Sequence, residues 1–188
     1  FMIALLAGVG CRRDAAPPPE PGSPATKEAE QRGRRAVGAL KQRLMGALTE
    51  ALKAGGGASA IGVCNVEAPA IAAALRVDGV QVGRATRKPR NPANVATGWQ
   101  AEALSRFETM ARSGESLDGA TWARRLPDGR TAYAEPIVIQ PLCVTCHGEV
   151  LGAELGDAVR ATYPGDLATG YRVGDLRGVA WAEIVGVV

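Results

Sequence analysis

The stretch LCVTCHGE at 142–149 contains the residues of this chain best suited to chemistry. Cys143 and Cys146 are separated by two residues, and His147, the only histidine in the sequence, follows directly. Two thiols at this spacing can form thioethers with the two vinyl groups of haem, and the adjacent imidazole then becomes an axial ligand of the iron. The pattern therefore favours one covalently attached haem c.

Three other interpretations of the cysteine pair remain open. A redox dithiol would also follow an apolar strand, but a thioredoxin-like protein would need a βαβ unit that the preceding sequence does not predict. A zinc site would need Cys64 as a fourth ligand. An inert pair or a structural disulfide would leave the neighbouring histidine without a role.

The motif does not fix the ligand on the other face of the iron. Because the chain has a single histidine, a second axial imidazole from the same chain is excluded. Met45, Met110, Cys64, a lysine or no protein ligand remain. The methionines lie in apolar helical faces, where filling a core is their ordinary role. Cys64 is a thiol without an assigned use, so it is either an iron ligand or a buried, inert cysteine.

The N-terminal half of the chain predicts helices. Residues 27–54 carry an apolar residue every three or four positions, which is typical of an amphipathic helix, and the glycines at 55–57 are expected to end it. A second helix is predicted over 58–75, with a bend at Pro69. The apolar face of the first helix is formed by Val37, Leu40, Leu44, Leu48 and Leu52.

The C-terminal half predicts strands. Residues 80–86 form a strand, 95–111 a helix capped by Asn94, and 122–126 with 130–139 a hairpin. The cysteine motif is expected to open a helix over 148–163, and 176–188 closes the chain as a strand. Leading helices followed by hairpin-paired strands predict an α+β fold with an antiparallel sheet.

The N-terminus has the composition of a targeting segment. The run FMIALLAGVGC at 1–11 is too short to span a bilayer and resembles the end of an export signal, with Cys11 as the residue to be acylated. Ordinary secretion, with no role for Cys11, is the alternative. Residues 12–27 are rich in proline and predict a linker, which leaves 28–188 as the haem domain. We therefore expect a periplasmic or other extracytoplasmic protein, attached to a membrane through lipid.

Charge argues against a nucleic-acid partner. The chain of 188 residues suits one domain with a tail, and its net charge is only +3. No dense basic run with interleaved aromatic residues occurs.

Four stretches resemble, in order, a bacterial family of c-type haem domains with a PAS-like sensor fold, first catalogued as a domain of unknown function. They lie between positions 60 and 178 and read AIGVCNVEAPAIA, GRATRKPRNPANVATGW, PIVIQPLCVTCHGE and YPGDLATGYRVGDLRG. The resemblance implies a PAS-like antiparallel sheet flanked by helices and preceded by a long N-terminal helix. It also implies a haem held by Cys143, Cys146 and His147, with Cys64 able to act as the other axial ligand. Thr86 in place of a common serine is a departure that touches no ligand.

Arginines in the second stretch are candidates for contact with the haem propionates. Arg84, Arg87 and Arg90 carry guanidinium groups, which pair well with carboxylates. A surface position or a structural hydrogen-bonded corner is the alternative for each.

Three functions follow for such a domain. Thiolate ligation stabilises ferric iron, so displacement of Cys64 by reduction or by CO or NO would make a sensor that signals to a partner. A simple electron carrier with a redox partner protein is the second hypothesis. An enzyme, such as a peroxidase or a sulfur-compound oxidase, is least favoured, because no second histidine is available as an acid–base group.

Overall fold

A computed structural model describes residues 24–185 of the chain. The predictions for the export signal, for Cys11 and for most of the linker therefore lie outside the described residues. The first helix begins at Pro24, slightly before the predicted start at Lys27.

Helices form the N-terminal part, as the apolar periodicity predicts. Helix α1 spans Pro24–Gly62 but is broken at Gly55 and Gly56, and Gly56 has a φ of +66°. The predicted glycine stop is thus confirmed as a sharp break. A π-helical turn, Val63–Glu67, then leads into α2, Ala68–Ala74. The bend precedes Pro69 because proline lacks an N–H and its ring clashes with a regular preceding turn.

A four-stranded antiparallel sheet forms the rest of the framework. Its strands are β1, Val80–Ala85; β2, Trp122–Arg125; β3, Thr131–Val138; and β4, Leu176–Ile184. The spatial order is β1-β4-β3-β2, and every neighbouring pair is antiparallel. The predicted hairpin is confirmed as β2 and β3. The α+β class with a long N-terminal helix and a PAS-like sheet flanked by helices is likewise confirmed.

The two faces of the sheet bury different helices, because side chains alternate along each strand. On one face, α1 packs Val37 and Leu40 against Tyr133 and Ile184. On the other, helix α3, Gly98–Arg112, packs its apolar side against the sheet. That second core contains Ala85, Ala103, Leu104, Phe107, Ala134 and Val179.

Two local predictions were wrong. Helix α3 begins at Gly98 rather than at 95, because Val95 instead forms a β-bridge with Thr86. Asn94 is not the cap of that helix but the last residue of a short 3-10 turn that Asn91 caps through Ala93 N.

The cysteine motif does not open the following long helix. It forms a 3-10 turn, Pro141–Cys143, and a short helix α4, Val144–His147. Helix α5, Ala153–Thr162, starts separately. Gly148 has extended backbone angles that end α4, which explains the interruption.

A third apolar cluster joins the end of α1 to α5. Ile61, near the end of α1, packs against Leu155 and Val159 of α5, with Cys146 at its edge. By length and hydropathy alone the helical stretch Thr26–Ala74 could cross a membrane, but core helices of globular domains pass the same test.

Candidate functional site

A cavity of about 1000 Å³ lies between α1, the sheet, the π-helical turn and the cysteine motif. Cys64, Cys143, Cys146 and His147 all line it, although Cys64 is far from the motif in sequence. The tertiary structure therefore brings together the four residues that the sequence singled out for haem.

The backbone around the motif is held tightly at its C-terminal end. Gly148 donates to the carbonyl of Val144 at 2.9 Å and accepts from Gly170 N at 2.9 Å. A Cβ at Gly148 would lie 2.5 Å from the Val144 oxygen, so a side chain does not fit there. Tyr171 N also donates to the carbonyl of His147 at 3.0 Å. The loop that follows α5 thus runs alongside the motif.

His147 is oriented by that same loop. Its Nδ1 lies 2.7 Å from the carbonyl oxygen of Ala168. Since a carbonyl only accepts, Nδ1 carries the proton and Nε2 keeps its lone pair. Burial and the nearby Arg177 lower the pKa of His147 to about 4, so the ring is neutral at ordinary pH. A neutral imidazole with a fixed tautomer is the form that ligates a metal.

Cys64 lies within the π-helical turn as a half-buried free thiol. Arg84, Tyr163 and Cys146 line the same cavity as Cys64. Burial raises the pKa of the Cys146 thiol, although Arg90 opposes this effect.

The cavity wall contains cations with few anionic partners, of which Arg90 is buried and Arg84 and Arg177 are half-buried. Burial lowers the pKa of Arg84, and no hydrogen bond joins its guanidinium to any residue of the described chain. Burial also lowers the pKa of Arg177, with Arg90 and Arg84 adding to the effect. Buried polar atoms without a partner include Nη1 of Arg90 and the hydroxyl of Tyr163. Arg84 and Arg177 form no ion pair with a carboxylate of the described residues, and cations in this position favour an anionic group.

The three predicted arginines separate in the structure. Arg84 and Arg90 line the cavity, but Arg90 is committed to Asp166, with Nη2 at 3.0 Å from Oδ2. Arg87 is exposed and does not line the cavity; it bonds to Glu108 and Ser105 of α3 instead. The structure therefore does not support a contact between Arg87 and a propionate. Strand β1 ends at Ala85, so Arg87 lies beyond it and does not share the cavity-facing side of Arg84.

Sequence reasoning missed Arg177 and the hydroxyl of Tyr163. Arg177 donates to Thr86 Oγ1 at 2.8 Å and lies over the ring of Tyr171, 5.3 Å from its centroid. Both residues lie in the stretch YPGDLATGYRVGDLRG, and its resemblance to the family was the only sequence signal that could have identified them.

The remaining ligand candidates also separate. Met45 lines the cavity but is 41% exposed. Met110 packs against the α3 core and does not line the cavity. Lys41 is occupied by Glu135, at 2.6 Å.

One of the alternative interpretations loses support. In the part of the chain that the structure describes, no group of three or more His, Cys, Asp or Glu side chains is arranged to hold a metal ion. The sheet is antiparallel throughout, which contradicts a thioredoxin-like βαβ arrangement around the dithiol.

Haem fits the residues present. The group is broad, flat and mostly apolar, and the cavity is lined largely by aliphatic side chains such as Leu48, Leu52 and Ile137. Haem also carries two carboxylates, which suit Arg84 and the unpartnered atoms of Arg90 and Tyr163.

Comparisons with known proteins support a haem protein. No curated protein matches the chain. The chain is similar to the crystal structure of the cyanobacterial haem protein Tll0287, with 26% identity and a TM-score of 0.58, over 82% of this chain and 92% of that one. The family model described as Tll0287-like matches residues 23–184. The chain therefore belongs to the Tll0287-like family of haem proteins.

Proposed function

We propose that this chain is an extracytoplasmic mono-haem c-type domain that senses redox state or a small ligand through a His/Cys-ligated iron. In this proposal Cys143 and Cys146 hold the haem by thioethers, and His147 and Cys64 are its axial ligands. The observation that carries it is that all four residues line one cavity of about 1000 Å³.

The chain prepares each ligand differently. His147 is held by the carbonyl of Ala168 and belongs to the short helix that also carries Cys146. Cys64 sits on a π-helical turn, a widened backbone geometry that frequently marks functional sites. Because His147 is held rigidly and Cys64 lies on an irregular turn, Cys64 is the ligand that is released.

Release of Cys64 gives the domain an output. The turn Val63–Glu67 continues into α2. Ala72 of α2 and Leu75, which directly follows the helix, pack against the α1 core. When bound, haem supplies a one-electron couple and a coordination position that reduction or CO or NO can open. Cys64 moves with its turn, and the change passes through α2 to the surface and a signalling partner.

An electron carrier is the second candidate. Leu142, beside the first attachment cysteine, lines the cavity and is 40% exposed, which gives a redox partner an apolar approach to this edge. Rapid electron exchange with a partner cytochrome while Cys64 stays bound would favour the carrier over the sensor.

The deciding experiment compares spectra of wild type and Cys64→Ser, oxidised and reduced, after expression with a haem-maturation system. Wild type should give the pyridine haemochrome spectrum of thioether-linked haem and low-spin ferric signals. Cys64→Ser should keep the attached haem and lose those low-spin signals. Met110→Leu is the matched sulfur control and should leave the spectra unchanged.

Contrary results are equally clear. Absence of thioether-linked haem in wild type would refute the proposal as a whole. An unchanged spectrum in Cys64→Ser would remove Cys64 from the iron, and loss of the signal in Met45→Leu would assign the ligand to Met45. Membrane anchoring through Cys11 is tested separately. If Cys11 carries lipid, Cys11→Ser should release the protein from membrane fractions.

A further inference from the structure

The buried ion pair between Arg90 and Asp166 joins the two segments that determine the orientation of His147. We infer that this pair is a positioning device: it holds the Ala168 carbonyl on Nδ1 of His147 and thereby sets the donor strength of the axial imidazole. The inference rests on the proposed function, because it needs His147 as an iron ligand.

The carboxylate of Asp166 fixes the residue that accepts from His147. Its Oδ1 accepts from the backbone N–H of Ala168 at 2.9 Å, and the carbonyl of Ala168 in turn accepts from Nδ1 at 2.7 Å. Movement of the carboxylate therefore moves the acceptor.

The guanidinium of Arg90 ties that carboxylate to the motif. Nη2 donates to the carbonyl of Cys146 at 2.7 Å and to Oδ2 of Asp166 at 3.0 Å, and Nε donates to Oδ1 at 3.2 Å. Cys146 directly precedes His147 in the chain. The planar guanidinium of Arg90 thus fixes the distance between Cys146, which precedes His147, and Asp166, which positions the Ala168 carbonyl.

Burial makes this arrangement rigid. The side chains of Arg90 and Asp166 are only 5% and 9% exposed. Burial alone would raise the pKa of Asp166, but the bonds from Arg90 and Ala168 outweigh it, and the pKa lies below its usual range. Buried ion pairs contribute little to net stability compared with apolar replacements, so geometric specificity is the better reason for a pair at this position.

The consequence is chemical as well as structural. An imidazole that donates Nδ1–H to a well-placed acceptor is a stronger donor at Nε2. Stronger donation stabilises ferric iron and lowers the reduction potential. Loss of the positioning pair should therefore raise the potential.

A charge-neutral double variant separates this role from simple electrostatics. In haem-loaded full-length protein, Arg90→Gln with Asp166→Asn removes one positive and one negative charge together. A purely electrostatic role predicts nearly cancelling effects on the potential. A positioning role predicts a shift to more positive potential and exchange of the His147 Nδ1 proton about tenfold faster, since the acceptor is no longer held.

A matched control lies on the same two segments. Arg172 donates to Glu149 at 2.7 Å, but these side chains are 76% and 57% exposed. Arg172→Gln with Glu149→Gln removes the same charges from an exposed pair that also joins the motif segment to the loop. This control should leave both the potential and the proton exchange unchanged.

Each outcome decides the inference. An unchanged potential and unchanged proton exchange in the buried double variant overturn it, and so does an equal shift in the exposed control. If the buried double variant does not fold, Arg90→Lys keeps the charge but cannot form the fork, and it should give a smaller shift of the same sign; no shift in Arg90→Lys overturns the inference. Wild type without attached haem would instead refute the proposed function.

Discussion

The two halves of helix α1 have the same apolar spacing but different surroundings. In the first half, Val37 and Leu40 are 0% and 1% exposed and pack against the sheet, although Leu40 also borders the cavity. In the second half, Leu48 and Leu52 continue the same stripe but remain half-buried and line the cavity. The first part of the apolar stripe is thus buried mainly by the protein itself, whereas the second part remains available to a bound group.

This contrast separates folding from ligand binding along a single helix. Residues that pack against protein contribute to the stability of every form of the molecule. Cavity-lining residues that the protein leaves half-buried, such as Leu48 and Leu52, contribute fully only when haem covers them. Comparing haem-loaded protein with a haem-free form, made by Cys143→Ser with Cys146→Ser, should therefore divide the helix in two.

The largest effect is expected for Leu40→Ala. Its side chain is fully buried in the α1 core, so the substitution should lower the free energy of unfolding by about 2–5 kcal/mol. Because the loss is mostly one of packing against protein, haem-free and haem-loaded forms should both show it in denaturant unfolding. A loss confined to the loaded form would place Leu40 with the ligand instead.

Gly33→Ala should have the next largest effect. A Cβ at this position would lie 2.7 Å from Cβ of Tyr133, so the helix must move away from the sheet at a cost of about 1–3 kcal/mol. Gly38→Ala is the matched control, since a Cβ there meets nothing within 4 Å. The control should gain up to about 1 kcal/mol from helix propensity, measured by the same unfolding curves. Equal effects of the two substitutions would contradict the close approach at Gly33.

Leu48→Ala should give a smaller effect that depends on haem. In the haem-free form we expect a loss of less than about 1 kcal/mol, because the side chain has water or empty space on its cavity side. The loaded form should lose more, since the porphyrin face then covers the leucine. Identical losses in the two forms would show that haem does not reach this part of the cavity.

Arg84→Met should have the smallest effect on the haem-free protein. Methionine fills similar space without an uncompensated charge, so stability should stay within about 0.5 kcal/mol or rise slightly. The loaded form should become less stable, because a propionate partner is removed. Arg87→Met, on an exposed arginine paired with Glu108, is the control and should affect both forms equally and weakly. Destabilisation of the haem-free form by Arg84→Met would mean that the cation is satisfied by the protein.

Local patterns predicted much of this molecule. Helical spacing over 27–54, the glycine stop and the hairpin at Pro127–Gly129 involve neighbours in sequence, and all three are present in the structure. The start of α3 was misplaced because Val95 is taken by a bridge to Thr86, a contact between segments that periodicity does not detect.

Site residues divide in the same way. The residue types and spacing in LCVTCHGE predicted a haem motif, but the sequence did not show which of Arg84 and Arg87 would line the cavity. The strand places Arg84 in the cavity, whereas the chain beyond the strand carries Arg87 to α3. Arg177 and the Arg90–Asp166 pair were missed because their partners come from distant segments.

By itself, the sequence predicted most of the helices and strands, the α+β class and a haem hypothesis for the cysteine motif, because these depend on side-chain type and short spacing. Only the tertiary structure decided that Cys64 lines the same cavity as the motif, that most of the apolar stripe of α1 borders this cavity, and that Ala168 orients His147. Those features arise from packing between remote segments. Burial then fixes which groups meet and which are left for a ligand.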